Sequence, residues 1–155
     1  MADTYRKVYL HIVFAVKNRD ALLDASWRNR LFAYTSKMLT NRGHYALAVN
    51  GYHDHVHIFI DYSCKELIED LVREVKKSMS NFIKDNRLCK FRFQWQSGYA
   101  VFSVGYREKG KIINYIKNQE VHHSQRTFRD EYLSLLKNYD VEFTNEYVFD
   151  FLNDT

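Results

Sequence analysis

The stretch His53-Asp54-His55-Val56-His57-Ile58-Phe59-Ile60 decides how the chain is read. Side chains alternate along a strand, so His55 and His57 point to one side, about 6.5–7 Å apart along it. Val56, Ile58 and Ile60 point the other way, into a core. Two imidazoles at that spacing can share one divalent metal with little backbone distortion, and neutral imidazole is the commonest metal ligand near pH 7. A bare His-x-His also arises by chance as two half-exposed strand histidines, so the pair needs company before it carries chemistry.

The flanking sequence supplies the partners of this strand, which spans about Asp54–Tyr62. Gly51-Tyr52 turns the chain back onto a strand from about His44 to Asn50. Further upstream, Val8, Leu10, Ile12, Phe14 and Val16 alternate with Lys7, Tyr9, His11, Val13, Ala15 and Lys17, which makes a first strand with one apolar and one mixed face. A helix is predicted between these strands over about Asp24–Asn41. Its stripe is Trp27, Leu31, Tyr34 and Met38, and Gly43 stops it. Ser63-Cys64-Lys65-Glu66 has the form of a capping box that opens a second helix running to about Asn86. The stripe of that helix is Leu67, Leu71, Val75 and Phe82. A fourth strand is expected between about Phe91 and Val104, interrupted near Ser97-Gly98. Helices follow over about Glu108–Val121, Thr127–Asn138 and Asn145–Leu152. This order predicts an α+β fold of ferredoxin-like or RRM-like topology, with an antiparallel sheet and helices on both faces. No linker, repeat or low-complexity stretch divides it, so residues 1–155 read as one domain.

Composition narrows the class. The chain has 155 residues, 46% of them hydrophobic and 16% aromatic, which excludes disorder. No apolar run reaches the roughly 18 residues that span a bilayer. Cys64 and Cys89 are too few to staple a secreted miniprotein, and no signal peptide is apparent. A cytoplasmic protein is the expectation. Net charge is +4, compatible with a phosphate-bearing partner or with an ordinary soluble surface.

A second motif lies in Tyr115-Ile116-Lys117-Asn118-Gln119. On a helix, Tyr115 and Gln119 stack one turn apart beside the apolar stripe of Ile112 and Ile116. Any one of twelve tyrosines is most simply a packed boundary residue. The combination changes that. A histidine pair on a sheet with Tyr-x-x-x-Gln on a helix supplies the parts of a phosphodiester transesterification. A metal polarises the phosphate, the tyrosine hydroxyl attacks to form a phosphotyrosine, and the Gln119 amide oxygen completes the ligand set.

At this point the sequence resembles the single-tyrosine transposases of the HUH superfamily (His, hydrophobic residue, His), the TnpA-type enzymes of the insertion sequence two-hundred / six-oh-five group. The match runs in order through Tyr9-Leu10-His11-Ile12-Val13-Phe14 to Lys17-Asn18-Arg19, then Asp54-His55-Val56-His57-Ile58, Trp95-Gln96-Ser97-Gly98-Tyr99, Ser103-Val104-Gly105 and Tyr115 to Gln119. The resemblance implies a bacterial or archaeal homodimer that recognises hairpins at element ends in single-stranded DNA. It implies cleavage through a 5′-phosphotyrosine with magnesium or manganese, and rejoining by attack of a 3′-hydroxyl. It makes Tyr115 the nucleophile and His55, His57 and Gln119 the metal ligands, with the tyrosine helix able to act in trans on the partner's histidines.

Relatives often carry Met-Pro where this chain has Tyr52-His53, and His53 is expected to be a spectator. Candidates for DNA phosphate contact are Lys17, Arg19, Arg73, Lys76, Lys77 and Lys111, with Lys7, Arg107 and Lys109 behind them. Three other readings remain open. The first is a domesticated relative acting on repetitive palindromic hairpins. The second is a histidine-triad nucleotide hydrolase, suggested by His53, His55 and His57 sharing a parity. The third is a sheet that binds single strands without cutting.

Overall fold

A computed structural model describes residues 2–17 and 21–143 of the chain. Its sheet contains β1 (Tyr9–Ala15), β2 (Tyr45–Gly51), β3 (His55–Asp61) and β4 (Ala100–Val104), all antiparallel, in the order β2-β3-β1-β4. Helix α1 (Arg28–Asn41) links β1 to β2, and α2 (Ile68–Asp85) links β3 to β4. This is the expected βαββαβ succession. After β4 come a single 3-10 turn, α3 (Lys109–Lys117), α4 (Gln119–His123) and α5 (Phe128–Asn138). The helix expected over 145–152 lies outside the described residues.

The central strands β1 and β3 are covered on both faces. On one face Leu10, Ile12, Phe14, Val56, Ile58 and Ile60 pack with Leu31, Phe32 and Leu39 of α1 and with Leu71, Val72, Val75, Met79 and Ile83 of α2. On the other, Tyr9, Phe59 and Val104 close on Ile116 of α3, while Val13, Ala15, Ala100 and Phe102 close on Phe128 and Leu136 of α5. The later helices therefore occupy the face that the sequence leaves open to helices or a ligand. Among the described residues, no helix is long and apolar enough to cross a membrane.

Several local expectations need correction. Helix α1 starts at Arg28, because Asp24 accepts the Ser26 backbone and hydroxyl hydrogens and shapes residues 25–27 as a turn. Its buried stripe is Leu31, Phe32, Thr35 and Leu39, with Tyr34 exposed. The capping box does not form. Cys64 takes a left-handed φ of 62°, α2 starts at Ile68, and Leu67 is exposed. Glu66 is drawn instead to Arg42 at 2.6 Å and to the buried His44 at 2.8 Å, since ion pairs across the core entrance outcompete a local cap. The α2 stripe is Leu71, Val72, Val75, Met79 and Ile83, and Phe82 is only half-buried. The fourth strand is confined to Ala100–Val104, with Trp95 making a lone bridge to Val16 upstream of it. By contrast Gly43, at φ 94°, ends α1 as expected.

Two substitutions distinguish the formed cap from the unformed one. The Thr127 side chain accepts the Asp130 amide hydrogen at the start of α5. In chemical denaturation, Thr127→Ala should cost about 1 kcal/mol. Ser63→Ala should stay within about 0.5 kcal/mol.

Candidate metal and tyrosine site

The site begins with a close approach in the β2–β3 hairpin. A side chain on Gly51 would collide with the His55 carbonyl oxygen, to which the Tyr52 amide donates at 3.1 Å. Glycine at position 51 thus lets β3 start at His55. From there, strand alternation sends His55 and His57 to the face covered by α3–α5, where both are completely buried.

His55 Nδ1 is 2.7 Å from Asp54 Oδ1, so the ring is oriented by its neighbour and presents Nε2 inward. That nitrogen lies 2.9 Å from Gln119 Oε1 and 3.3 Å from Glu131 Oε1. His57 Nε2 lies 3.0 Å from the same Glu131 oxygen, and His123 Nε2 lies 3.1 Å from it. The second Glu131 oxygen accepts from the Tyr115 hydroxyl and, at 3.2 Å, from the Gln119 amide. On its Nδ1 side, His57 meets His11 Nε2 at 2.8 Å. Phe128 stacks on the His55 ring with centroids 4.2 Å apart.

The electrostatics follow from burial and these partners. Burial disfavours a charged His55 ring, but hydrogen bonds with Asp54 and Glu131 outweigh it and raise its pKa to about 9. Burial lowers His57, and it lowers His11 to about 3 with help from His57. Burial also opposes the charge on Glu131, yet His57, His123 and His55 hold its carboxyl well below the usual range. Tyr115 is pushed far above a normal phenol, first by burial and then by Glu131.

His55, His57 and Glu131 offer ligand atoms that all lie within 4.8 Å of one another. Adjacent oxygen ligands of an octahedral magnesium ion bonded at 2.0–2.1 Å stand about 3 Å apart. The contacts of 2.9, 3.0 and 3.3 Å among His55, His57, Gln119 and Glu131 have that spacing. Two imidazoles, a carboxylate and an amide oxygen form a mixed nitrogen–oxygen set that suits manganese better than magnesium, which prefers oxygen ligands. The group therefore fits a divalent ion.

The structure brings together four of the residues singled out in the sequence: His55, His57, Tyr115 and Gln119. It corrects their setting in one respect. Tyr115 and Gln119 do not share one helix, because α3 ends at Lys117 and α4 begins at Gln119, with Asn118 between them. The tyrosine lies over the histidines of its own chain, its ring 5.8 Å from that of His57. His53 stands before β3, half-exposed and 3.4 Å from Asp54 Oδ1, outside the cluster. Its parity with His55 and His57 does not bring it into the group.

Sequence reading missed His11, His123 and Glu131. His11 stood within the mixed face of β1, and its burial was the only signal to find. Glu131 and His123 come from separate helices with no motif spacing to link them.

The DNA-contact candidates are scattered. Lys17 is exposed, and Arg19 lies outside the described residues. Arg73 pairs with Asp70 at 2.9 Å, and Lys111 stands 3.9 Å from Glu108. Lys76 donates to the Gln96 and Gly98 carbonyls at 2.9 and 2.7 Å, and burial lowers its pKa to about 8. Together with the exposed Lys77, Arg73 and Lys76 lie on α2, across the sheet from the histidines. Lys7 pairs with Asp61 at 2.8 Å, and Lys109 stands over the Tyr9 and Tyr106 rings; Arg107 is exposed.

The sequence matches the family described as "Transposase IS200 like" over residues 4–119. The chain belongs to the IS200-like transposase family. Its members' work, DNA transposition with DNA binding, is thus the setting for the site. The fold is similar to that of a putative transposase from Deinococcus radiodurans R1, at 22% identity and TM-score 0.61, covering 77% of this chain and 95% of that one. It is also similar to a REP-associated tyrosine transposase bound to a REP hairpin, at 18% identity and TM-score 0.57, covering 79% and 74%. No curated protein matches the sequence. The family match ends at Gln119, so α5 and Glu131 lie beyond it.

The His55 pKa gives a pH prediction for the metal-free transposase. A folded pKa of about 9, above the ordinary 6.5, contributes stability that is complete below pH 6.5 and is lost as pH rises through 9. In chelator, Tm should fall by several degrees between pH 6.5 and 9.5. In His55→Gln this step of the profile should be flat.

Proposed function

We propose that this transposase cuts and rejoins single-stranded DNA at hairpin-bearing ends through a phosphotyrosine on Tyr115, with a divalent metal at His55, His57, Gln119 and Glu131. The observation that carries the reading is the Tyr115 hydroxyl directed at Glu131, whose other oxygen faces both histidine Nε2 atoms. A nucleophile and a metal-ligand set thus converge on one carboxylate. A bound ion would supply charge stabilisation on the phosphate oxygens.

The chain's own residues do the rest. Asp54 fixes the His55 ring so that Nε2 is the ligating atom. Glu131 orients the Tyr115 hydroxyl and stands where its proton can go. Tyr115 Oη forms the bond to phosphorus while the bond from phosphorus to the 3′-oxygen breaks, and that oxygen leaves as a 3′-hydroxyl after taking a proton. Attack by a 3′-hydroxyl reverses the step and restores the tyrosine, with no net change in the number of phosphodiester bonds. In the arrangement seen here the phenol is held neutral and Phe128 covers the His55 ring.

Hairpin recognition is proposed on two grounds, the family and the fold shared with a hairpin-bound relative. An action on dispersed palindromic hairpins is favoured by the same likeness and remains part of the proposal. Lys17 and Lys111 are the proposed phosphate contacts nearest to β1 and α3. A homodimer, with the whole 155 residues as one HUH unit in the cytoplasm of a bacterium or archaeon, completes the reading. The tyrosine's position over its own histidines supports catalysis in cis.

The test is a denaturing gel of protein incubated with hairpin-bearing single-stranded DNA and manganese. Wild type should give a covalent adduct that chelator abolishes. Tyr115→Phe should give none, and Glu131→Gln should reduce the rate at least tenfold. An adduct that persists in Tyr115→Phe removes Tyr115 as the nucleophile.

A further inference from the structure

His11 is fully buried on β1, diagonally across from His57 on β3, and their rings stack with centroids 5.0 Å apart. Its Nε2 meets His57 Nδ1 at 2.8 Å, while its Nδ1 has no hydrogen-bond partner. A buried polar atom left unpartnered asks for an explanation. The His11 ring also packs against Phe102 and Tyr115.

We propose that His11 is the positioning residue of the site: its Nε2 accepts the Nδ1 proton of His57 and so aims the His57 Nε2 lone pair at the metal. The inference rests on the reading of His55 and His57 as metal ligands. A ligating imidazole needs a bare nitrogen toward the ion, so the ring proton of His57 must sit on Nδ1. Only His11 stands within hydrogen-bonding reach of that nitrogen among the contacts of the described residues. Once Nε2 of His11 is the acceptor, its own proton must lie on Nδ1, the atom without a partner. The ligating tautomer of His57 therefore fixes which ring nitrogen of His11 carries the proton.

Without metal the opposite arrangement is better satisfied. His11 Nε2–H donates to His57 Nδ1, and His57 Nε2–H donates to Glu131 Oε1 at 3.0 Å. The two rings thus exchange donor and acceptor roles together, and neither gains or loses charge. Burial keeps His11 neutral, as this exchange needs. The pairing parallels that of His55 with Asp54, so each ligating histidine has its own orienting partner, one a carboxylate and one a neutral ring.

The test is manganese binding to the full chain without DNA, measured by calorimetry at one pH. Wild type should bind one ion per chain, and His55→Ala should abolish it. His11→Leu should weaken binding 10–100-fold. His11→Gln, whose amide oxygen reaches the position of Nε2, should restore it to within a few-fold. Wild type that binds no ion, or binding that survives His55→Ala, overturns the metal reading itself. Binding lost in His55→Ala but unchanged in His11→Leu overturns the positioning role alone, as does equal weakening in His11→Leu and His11→Gln. Should His11→Leu fail to fold, nitrogen NMR of wild type with magnesium decides. A proton on His57 Nδ1 is expected, and ligation through Nδ1 contradicts the proposal.

Discussion

The antiparallel register of β1 on β3 is the constraint on which the site depends. Val13 faces His57 and Ala15 faces His55 across the ladder, with His11 one diagonal away. Because side chains alternate, a slip of one residue would send both histidines among Ile12, Phe14 and Met79 and bring Ile58 to the polar side. Both faces of both strands are buried, so such a slip would also strand imidazoles in an apolar core, a cost of several kcal/mol for groups without partners. The core on the α1–α2 side thus sets the register, and the register sets the site. Gly51 adds a second restraint at the hairpin, where the chain comes too close to His55 for any side chain.

On that frame Glu131 gathers most of the polar groups of the site. Glu131 takes His57, His55 and His123 on one oxygen and Tyr115 and Gln119 on the other. A buried carboxylate is costly unless fully partnered, and here the partners outweigh burial. Asp54 does the same for the outer nitrogen of His55. One buried and one half-buried carboxylate, both held ionised, flank His55 and make its surroundings favourable to a cation. On the proposed reading a divalent ion would replace the proton on His55 with greater charge at the same place. The contacts that hold the cluster together without metal are therefore the ones that would attract it.

The fold was largely legible because its signals are local and periodic. Alternation in residues 8–16 and 54–62 marks the two central strands, and Gly43 marks a helix end. The misread parts turned on competition between local and distant partners. Ser63 and Glu66 match a capping box, but Arg42 and His44 claim the glutamate. Trp27 and Tyr34 fit a helical stripe, but the turn after Asp24 shifts the first helical residue to Arg28. In the site, His55, His57, Tyr115 and Gln119 were legible because each pair lies within five residues of sequence and so has a spacing to read. His11 and Glu131 have none. They are 120 positions apart and meet the same imidazole, His57, only through the sheet and through α5.

That contrast bears on how the chemistry is divided along the chain. The part that matches the family, residues 4–119, carries both strand histidines, their orienting partners Asp54 and His11, the tyrosine and the glutamine. Glu131 and the ring of Phe128 come from beyond it and lie against those groups. Burial and Glu131 both favour the neutral phenol of Tyr115, so the hydroxyl proposed as the nucleophile is held unreactive in this arrangement. Glu131 is held low chiefly by His57, His123 and His55, and on the proposed reading a bound ion would take over from the two strand histidines as its positive partner. On that reading one side chain would join the metal site to the tyrosine, since Oε1 of Glu131 faces the histidines and Oε2 holds the phenol.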